Sequence, residues 1–251
     1  MIRATRRGLM LGAAGLLAGC DQLQRTSSVR DIIRVGETLN IGAQRLLLSA
    51  QPLAREFKAS DISPVFRSNG SNNPNTEAYN RHVEEGFANW RLRIDGLVYA
   101  PVEFSLAEMK AMNSRTQITR HDCVEGWSAI GRWTGVPLRS LLRAAGLLAG
   151  ARYLIFHCAD NLGGDATGLY YESIDLFDAF HPQTILAYAL NGKDLPVANG
   201  APVRLRVERQ LGYKQAKYVM RIEVASSLAH VGGGRGGFWE DRAGYEWYGG
   251  I

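Results

Sequence analysis

Strand-length runs and single short helices alternate along this chain with no regular strand–helix–strand period, and this irregular mixture restricts the fold more than any other feature. Trp90-Arg91-Leu92-Arg93-Ile94 alternates apolar and polar, and Asp95-Gly96 reads as a turn into Leu97-Val98, which predicts a hairpin. Ser105-Leu106-Ala107-Glu108 is a capping box opening a short helix toward Met112. Thr116 to Thr119 is strand-like and delivers the chain to Cys123. Pro137 to Ala145 starts on proline and stops at Gly146, as a short helix does. Tyr153 to Cys158 and Thr184 to Leu190 are apolar strands, the second ending in the hairpin signal Asn191-Gly192. Val203 to Val207 and Tyr218 to Val224 alternate as strands. The predicted class is α+β, without internal repeats. The tail, Val231 to Ile251, is rich in glycine and aromatic residues and reads as an ordered arm packing across the domain.

The chain is 251 residues long with 46% hydrophobic content, which suits one large domain. Its formal net charge is +5, of which Arg3, Arg6 and Arg7 supply three. No Lys/Arg run follows, so the basic balance does not predict a nucleic-acid partner. Met1 to Cys20 is a basic start followed by a small, apolar run too short to span a bilayer, as in a signal peptide. Thr5-Arg6-Arg7-Gly8-Leu9-Met10 resembles the twin-arginine motif that exports folded, cofactor-loaded proteins. Leu17-Ala18-Gly19-Cys20 resembles a lipobox, with Cys20 as the lipidated residue. The expected organisation is a signal peptide over 1–20, a lead-in over 21–65 and the functional domain over 66–251. The expected location is the periplasm, with a lipid anchor to the inner membrane if Cys20 is acylated.

With Cys20 assigned to targeting, Cys123 and Cys158 remain. Spacing alone leaves a disulfide between them open in an oxidising compartment. The surroundings of Cys123 argue otherwise. Arg120-His121-Asp122-Cys123-Val124-Glu125-Gly126-Trp127-Ser128 places one cysteine among charged groups, and nearby Arg or His favours the thiolate that ligates a metal. One cysteine cannot build a zinc or iron–sulfur site, and no His-x-x-x-His pair exists among the five histidines. Any further metal ligands must therefore come from a cofactor, and the dithiolene of molybdopterin meets that need.

Cys123-Val124-Glu125-Gly126-Trp127-Ser128, Trp133-Thr134-Gly135-Val136-Pro137-Leu138 and Leu141-Leu142 resemble the molybdopterin-binding domain of the sulfite oxidase superfamily. C-V-E-G-W is similar to its bacterial periplasmic branch, which includes protein-methionine-sulfoxide reductase catalytic subunits, and departs from the C-x-G-N-R-R pattern of true sulfite oxidases. The resemblance continues through Leu186-Ala187-Tyr188, Asn199-Gly200-Ala201-Pro202-Val203-Arg204 and Gly212-Tyr213-Lys214-Gln215-Ala216-Lys217. It implies a sulfite-oxidase-type fold and a molybdenum–molybdopterin oxidoreductase with Cys123 as the single protein ligand to the metal. It further implies a cofactor held by Asn69, Asn199, Arg204, Gln215, Ala216 and Lys217. Cys158 falls where the family often carries Thr beside the cofactor.

Each residue also has a plainer reading. Cys123 alone could be a core cysteine, Glu125 a surface carboxylate instead of a catalytic pocket residue, and Arg204 and Arg206 exposed positions of an alternating strand. His121 reads as a supporting residue, Cys158 as an inert wall, and Trp127 and Trp133 as core. The expected reaction is two-electron redox or oxygen-atom transfer on a small substrate, possible substrates including a sulfoxide. It would need a membrane or periplasmic electron-transfer partner. The alternatives are a sulfite or other oxyanion oxidase and a non-catalytic lipoprotein that keeps the fold as a binding module.

Overall fold

The computed structural model describes residues 52–164 and 168–251, with Gly42 alone before them. Arg6, Arg7 and Cys20 lie outside the described residues. Leu53–Ile251 forms one compact unit. Part of the lead-in belongs to it: the amides of Phe57 and Ser63 donate to the carbonyls of Ile118 and Ile130.

Two five-stranded sheets and five short helices make up the unit. The strands are β1 (Arg91–Gly96), β2 (Val102–Ser105), β3 (Arg115–Cys123), β4 (Trp127–Pro137) and β5 (Tyr153–Asn161), then β6 (Leu169–Asp175), β7 (Ile185–Leu190), β8 (Lys193–Asp194), β9 (Arg204–Arg206) and β10 (Val219–Ala225). The helices are α1 (Glu77–Glu84), α2 (Leu106–Ala111), α3 (Leu138–Ala145), α4 (Leu176–Ala179) and α5 (Phe238–Arg242). One sheet has the order β2-β1-β10-β5-β6; the other runs β3-β4-β7-β8, with β9 also paired to β7. Among the described residues only β1 and β10 run parallel, in register from Arg93↔Arg221 to Gly96↔Val224. The α+β class expected from the sequence is the class observed.

Local signals placed several elements correctly. Ser105 and Glu108 form the reciprocal cap of α2. The chain leaves α3 at Gly146 with φ of 67°. Asn191 and Gly192, at φ of 54° and 81°, turn β7 into β8 as a two-residue hairpin with both central residues left-handed. The Asp95-Gly96 turn is a correction. β1 runs through both residues, and the hairpin to β2 turns only after Gly96. A distant strand overrides the local signal: Asp95 accepts from Arg93 and Arg221, and Gly96 lies so close to the Val224 carbonyl that a Cβ would stand 2.3 Å from it. Between the sheets, Leu92 and Ile94 of β1, Leu138 and Leu142 of α3 and Ile222 of β10 share one core and are fully buried.

Candidate active site

β3 and β4 form a hairpin whose last pair is Cys123↔Trp127. The turn between them, Val124-Glu125-Gly126, closes through the Gly126 amide on the Cys123 carbonyl at 3.1 Å. Gly126 has φ of 85°, a left-handed conformation that explains glycine within C-V-E-G-W; a Cβ there would meet nothing, so the backbone angle alone sets the requirement. The tip of this hairpin presents the half-buried Cys123 to a cavity of about 220 Å³.

The cavity's polar lining includes Asn69, Ser71, Asp160, Gln215 and Lys217, and Glu125 stands at its exposed edge. Asn69 and Ser71 belong to the 67–75 loop, which is held from two sides. Both oxygens of Glu125 are taken: Oε1 accepts the Gly70 amide at 3.1 Å and Oε2 the Trp127 indole N–H at 3.0 Å. These bonds hold the carboxyl below its ordinary range. Glu125 is thus an ionised clamp that positions the loop. From the other side Lys217 Nζ stands within hydrogen-bonding distance of the carbonyls of Asn69, Ser71 and Ala198 and of Ser68 Oγ at 3.2 Å, four acceptors sharing its three N–H groups.

Two cations at this site have no carboxylate within ion-pair distance among the described residues. Burial, with help from nearby Arg204, depresses Lys217 to about 7. Arg204 is fully buried and depressed to about 9, first by burial and then by Arg206. It donates to the carbonyls of Asn199 and Gln215 and to Asn69 Oδ1, while its Nε has no partner. The Asn199 Nδ2 group and Asp160 Oδ1 are also buried without a partner. Burial pushes the Asp160 carboxyl up to about 6, and its other oxygen accepts from Ser71 Oγ at 2.9 Å.

Arg206, two residues along β9, differs. It is paired with buried Glu208 and donates to His121 Nδ1 at 2.9 Å, so a neutral His121 carries its proton on Nε2. Burial and the Arg206 charge hold His121 well below the ordinary histidine range. The plainer reading of the β9 arginines as exposed does not hold: both are fully buried, and Trp133 packs beneath them with Arg206 4.4 Å and Arg204 5.2 Å from its ring. The expectation that neighbouring cations lower the Cys123 pKa is corrected too. Arg120 is drawn off by Asp122, and burial pushes the Cys123 thiol up.

Among the sequence-predicted residues, Cys123, Glu125, Asn69, Gln215 and Lys217 line one cavity, and Arg204 and Asn199 back it. Cys158 and Ala216 are not in its lining and pack in the main core. Both cysteines are free, and Cys158 is buried with its thiol pushed up by desolvation. Sequence reasoning missed Asp160, although a carboxylate at the end of the apolar strand β5 was a signal. It also missed Trp239 and Tyr245, which the aromatic tail brings to the same cavity.

The profile described as "oxidoreductase molybdopterin binding domain" matches residues 79–230. The chain belongs to that family. This family member is 37% identical over 245 residues, 98% of its length and 86% of the relative's, to a protein of Azospira oryzae provisionally named a protein-methionine-sulfoxide reductase subunit. It is 32% identical to the protein-methionine-sulfoxide reductase catalytic subunit of Ralstonia nicotianae, over 80% of this chain and 68% of that one. Against the sulfane dehydrogenase SoxCD of Paracoccus pantotrophus the TM-score is 0.49 at 23% identity, covering 56% of this chain and about two fifths (39%) of the other. The chain is a molybdopterin-domain oxidoreductase.

The site's chemistry fits such a cofactor. A buried cation with no counter-charge is costly, and a bound phosphate relieves that cost through charge-assisted hydrogen bonds. The unpartnered Arg204 Nε and Asn199 Nδ2 are donors able to serve a polar ligand. No cluster of three His, Cys, Asp or Glu side chains stands together among the described residues.

Proposed function

We propose that the Cys123 cavity holds molybdenum–molybdopterin and reduces the S-oxide of a thioether. One observation carries the reading: a single thiol shares a site with two buried basic side chains, Arg204 and Lys217, that have no carboxylate within ion-pair distance among the described residues. Cys123 would hold the metal as a thiolate, and Arg204, Lys217 and Asn199 would hold the cofactor's phosphate and polar edge. Bound there, the cofactor would supply the two-electron couple. The balance is one S=O bond broken with two electrons and two protons consumed, giving thioether and water. Asp160 is the carboxyl of this cavity able to hold a proton near neutral pH. The names of the Azospira and Ralstonia relatives support methionine S-oxide as the substrate class and, in the word "subunit", a redox partner that delivers the electrons. The sulfite-oxidase alternative would need arginines gathered around the oxyanion, and Arg120 lines a separate depression with Asp122 and Glu208.

Metal analysis of purified protein followed by assays with methionine S-oxide and with sulfite tests the reading. Stoichiometric molybdenum with S-oxide reduction is expected; sulfite oxidation without S-oxide reduction contradicts it. We further propose twin-arginine export to the periplasm with lipid attachment at Cys20, on the strength of the Arg6-Arg7 and Leu17-Ala18-Gly19-Cys20 patterns. Replacing both arginines with lysine should leave loaded precursor in the cytoplasm, and periplasmic recovery of that variant defeats the proposal.

A further inference from the structure

The C-terminal arm begins at Val231, just past the residues that the family profile matches. It is fixed to the domain at several points. Lys214 sits at zero exposure between Glu172 of β6 and Glu240 of α5, 2.7 Å from the latter. Asp241 receives the amides of Gly233 and Arg235 at 2.8 and 3.0 Å and the hydroxyl of Tyr171. Trp247 donates its indole N–H to Ser173 at 2.8 Å, and the Leu211 amide donates to the Gly249 carbonyl at 2.7 Å. A desolvated ion cluster like Lys214–Glu172–Glu240 adds little net stability compared with apolar packing and serves better to hold one arrangement.

That arrangement sets two rings in the wall of the Cys123 cavity. Trp239 and Tyr245 lie nearly parallel, at 28° with centroids 6.0 Å apart, and Tyr245 meets Tyr213 edge-on at 5.1 Å. Phe238 is buried beneath, whereas Trp239 and Tyr245 are only half-buried, so they keep ring surface for a ligand. The cavity thus combines a polar set around Cys123 and Lys217 with an aromatic set from the arm. Its other members with apolar surface are Tyr170, Tyr213, Leu162 and the 45% exposed Val124.

We infer that Trp239 and Tyr245 are a specificity-determining platform for the S-oxide side chain of a methionine within a peptide. The inference rests on the sulfoxide reading above. A flexible sulfur-bearing side chain makes favourable contacts with aromatic rings, and rings held in place by the arm cost little ordering entropy on binding. The S–O dipole would then direct its oxygen to the Cys123 side, with sulfur and alkyl carbons on the rings. Apolar Val124 and Leu162 offer surface to the chain on either side of such a residue.

The test compares wild type with Trp239→Ala, Tyr245→Leu and Trp239→Phe in the molybdenum-loaded protein. The probes are an N-acetylated, C-amidated tripeptide with a central methionine S-oxide, and dimethyl sulfoxide. Calorimetric titration of oxidised enzyme gives Kd without turnover, and steady-state assays give kcat/KM. Expected are an about five- to tenfold weaker peptide Kd in the first two variants, a similar loss of peptide over dimethyl sulfoxide selectivity, and recovery in Trp239→Phe. Unaltered peptide Kd and selectivity in both truncations overturn the inference. So does loss of molybdenum from them, which would place the rings against the cofactor. A loaded wild type that reduces neither probe defeats the underlying sulfoxide reading instead, and is recognised before any variant is compared.

Discussion

Arg204 and Arg206 stand two residues apart on β9, both over the indole of Trp133, yet only Arg206 has a carboxylate to meet its charge. The two arginines therefore carry different consequences. Arg206→Ala leaves Glu208 buried and unpaired and is expected to destabilise the fold by about 3–5 kcal/mol in urea unfolding. Arg204→Ala strands no ion partner. Its expected effect is on cofactor retention, a loss of about 1.5–3 kcal/mol in phosphate binding read as reduced molybdenum and pterin content. Equal cofactor content in Arg204→Ala and wild type would remove Arg204 from the cofactor's binding set.

Glu125 is expected to act through the loop it clamps. Glu125→Ala removes the acceptor of the Gly70 amide and should accelerate hydrogen exchange there by about tenfold or more, the value of a hydrogen bond to a charged group. An exchange rate at Gly70 that does not respond would mean the loop is held by Lys217 alone.

Asp160 predicts a pH dependence. Its folded pKa of about 6 lies above the ordinary 3.8, so the folded state binds the proton more tightly than the unfolded chain. Stability relative to Asp160→Asn should be fully present below about pH 4 and fall through pH 6 to a plateau, by an amount on the order of 3 kcal/mol. Ser71, Lys217, Tyr79, Tyr170 and Tyr218 surround this carboxyl and are the same in both proteins. Parallel stability–pH curves for the two would refute the raised pKa.

What was legible in the sequence was local. The Ser105–Glu108 cap, the Gly146 stop and the Asn191-Gly192 hairpin each act within a few residues, and each is present. The Asp95-Gly96 turn failed because a parallel strand more than 120 residues away claims those residues. The burial of Arg204 and Arg206 was hidden for a similar reason: alternation in V-R-L-R-V resembles an exposed edge unless Trp133, Glu208 and His121 are known to converge on it. Cys123, Asn69 and Lys217 were found through multi-block resemblance, whereas Trp239 and Tyr245 lie past the matched segment and only the folded arm brings them to the cavity.

The central claim is that Cys123 binds the metal, and X-ray absorption at the molybdenum edge tests it most directly. Cys123 sits half-buried at a hairpin tip and pairs with no other cysteine among the described residues, so Cys123→Ser is expected to fold with little loss of stability. The account predicts a sulfur shell at molybdenum that is smaller by one scatterer in Cys123→Ser than in wild type, together with lost S-oxide reduction. An identical sulfur shell in the two proteins would contradict it.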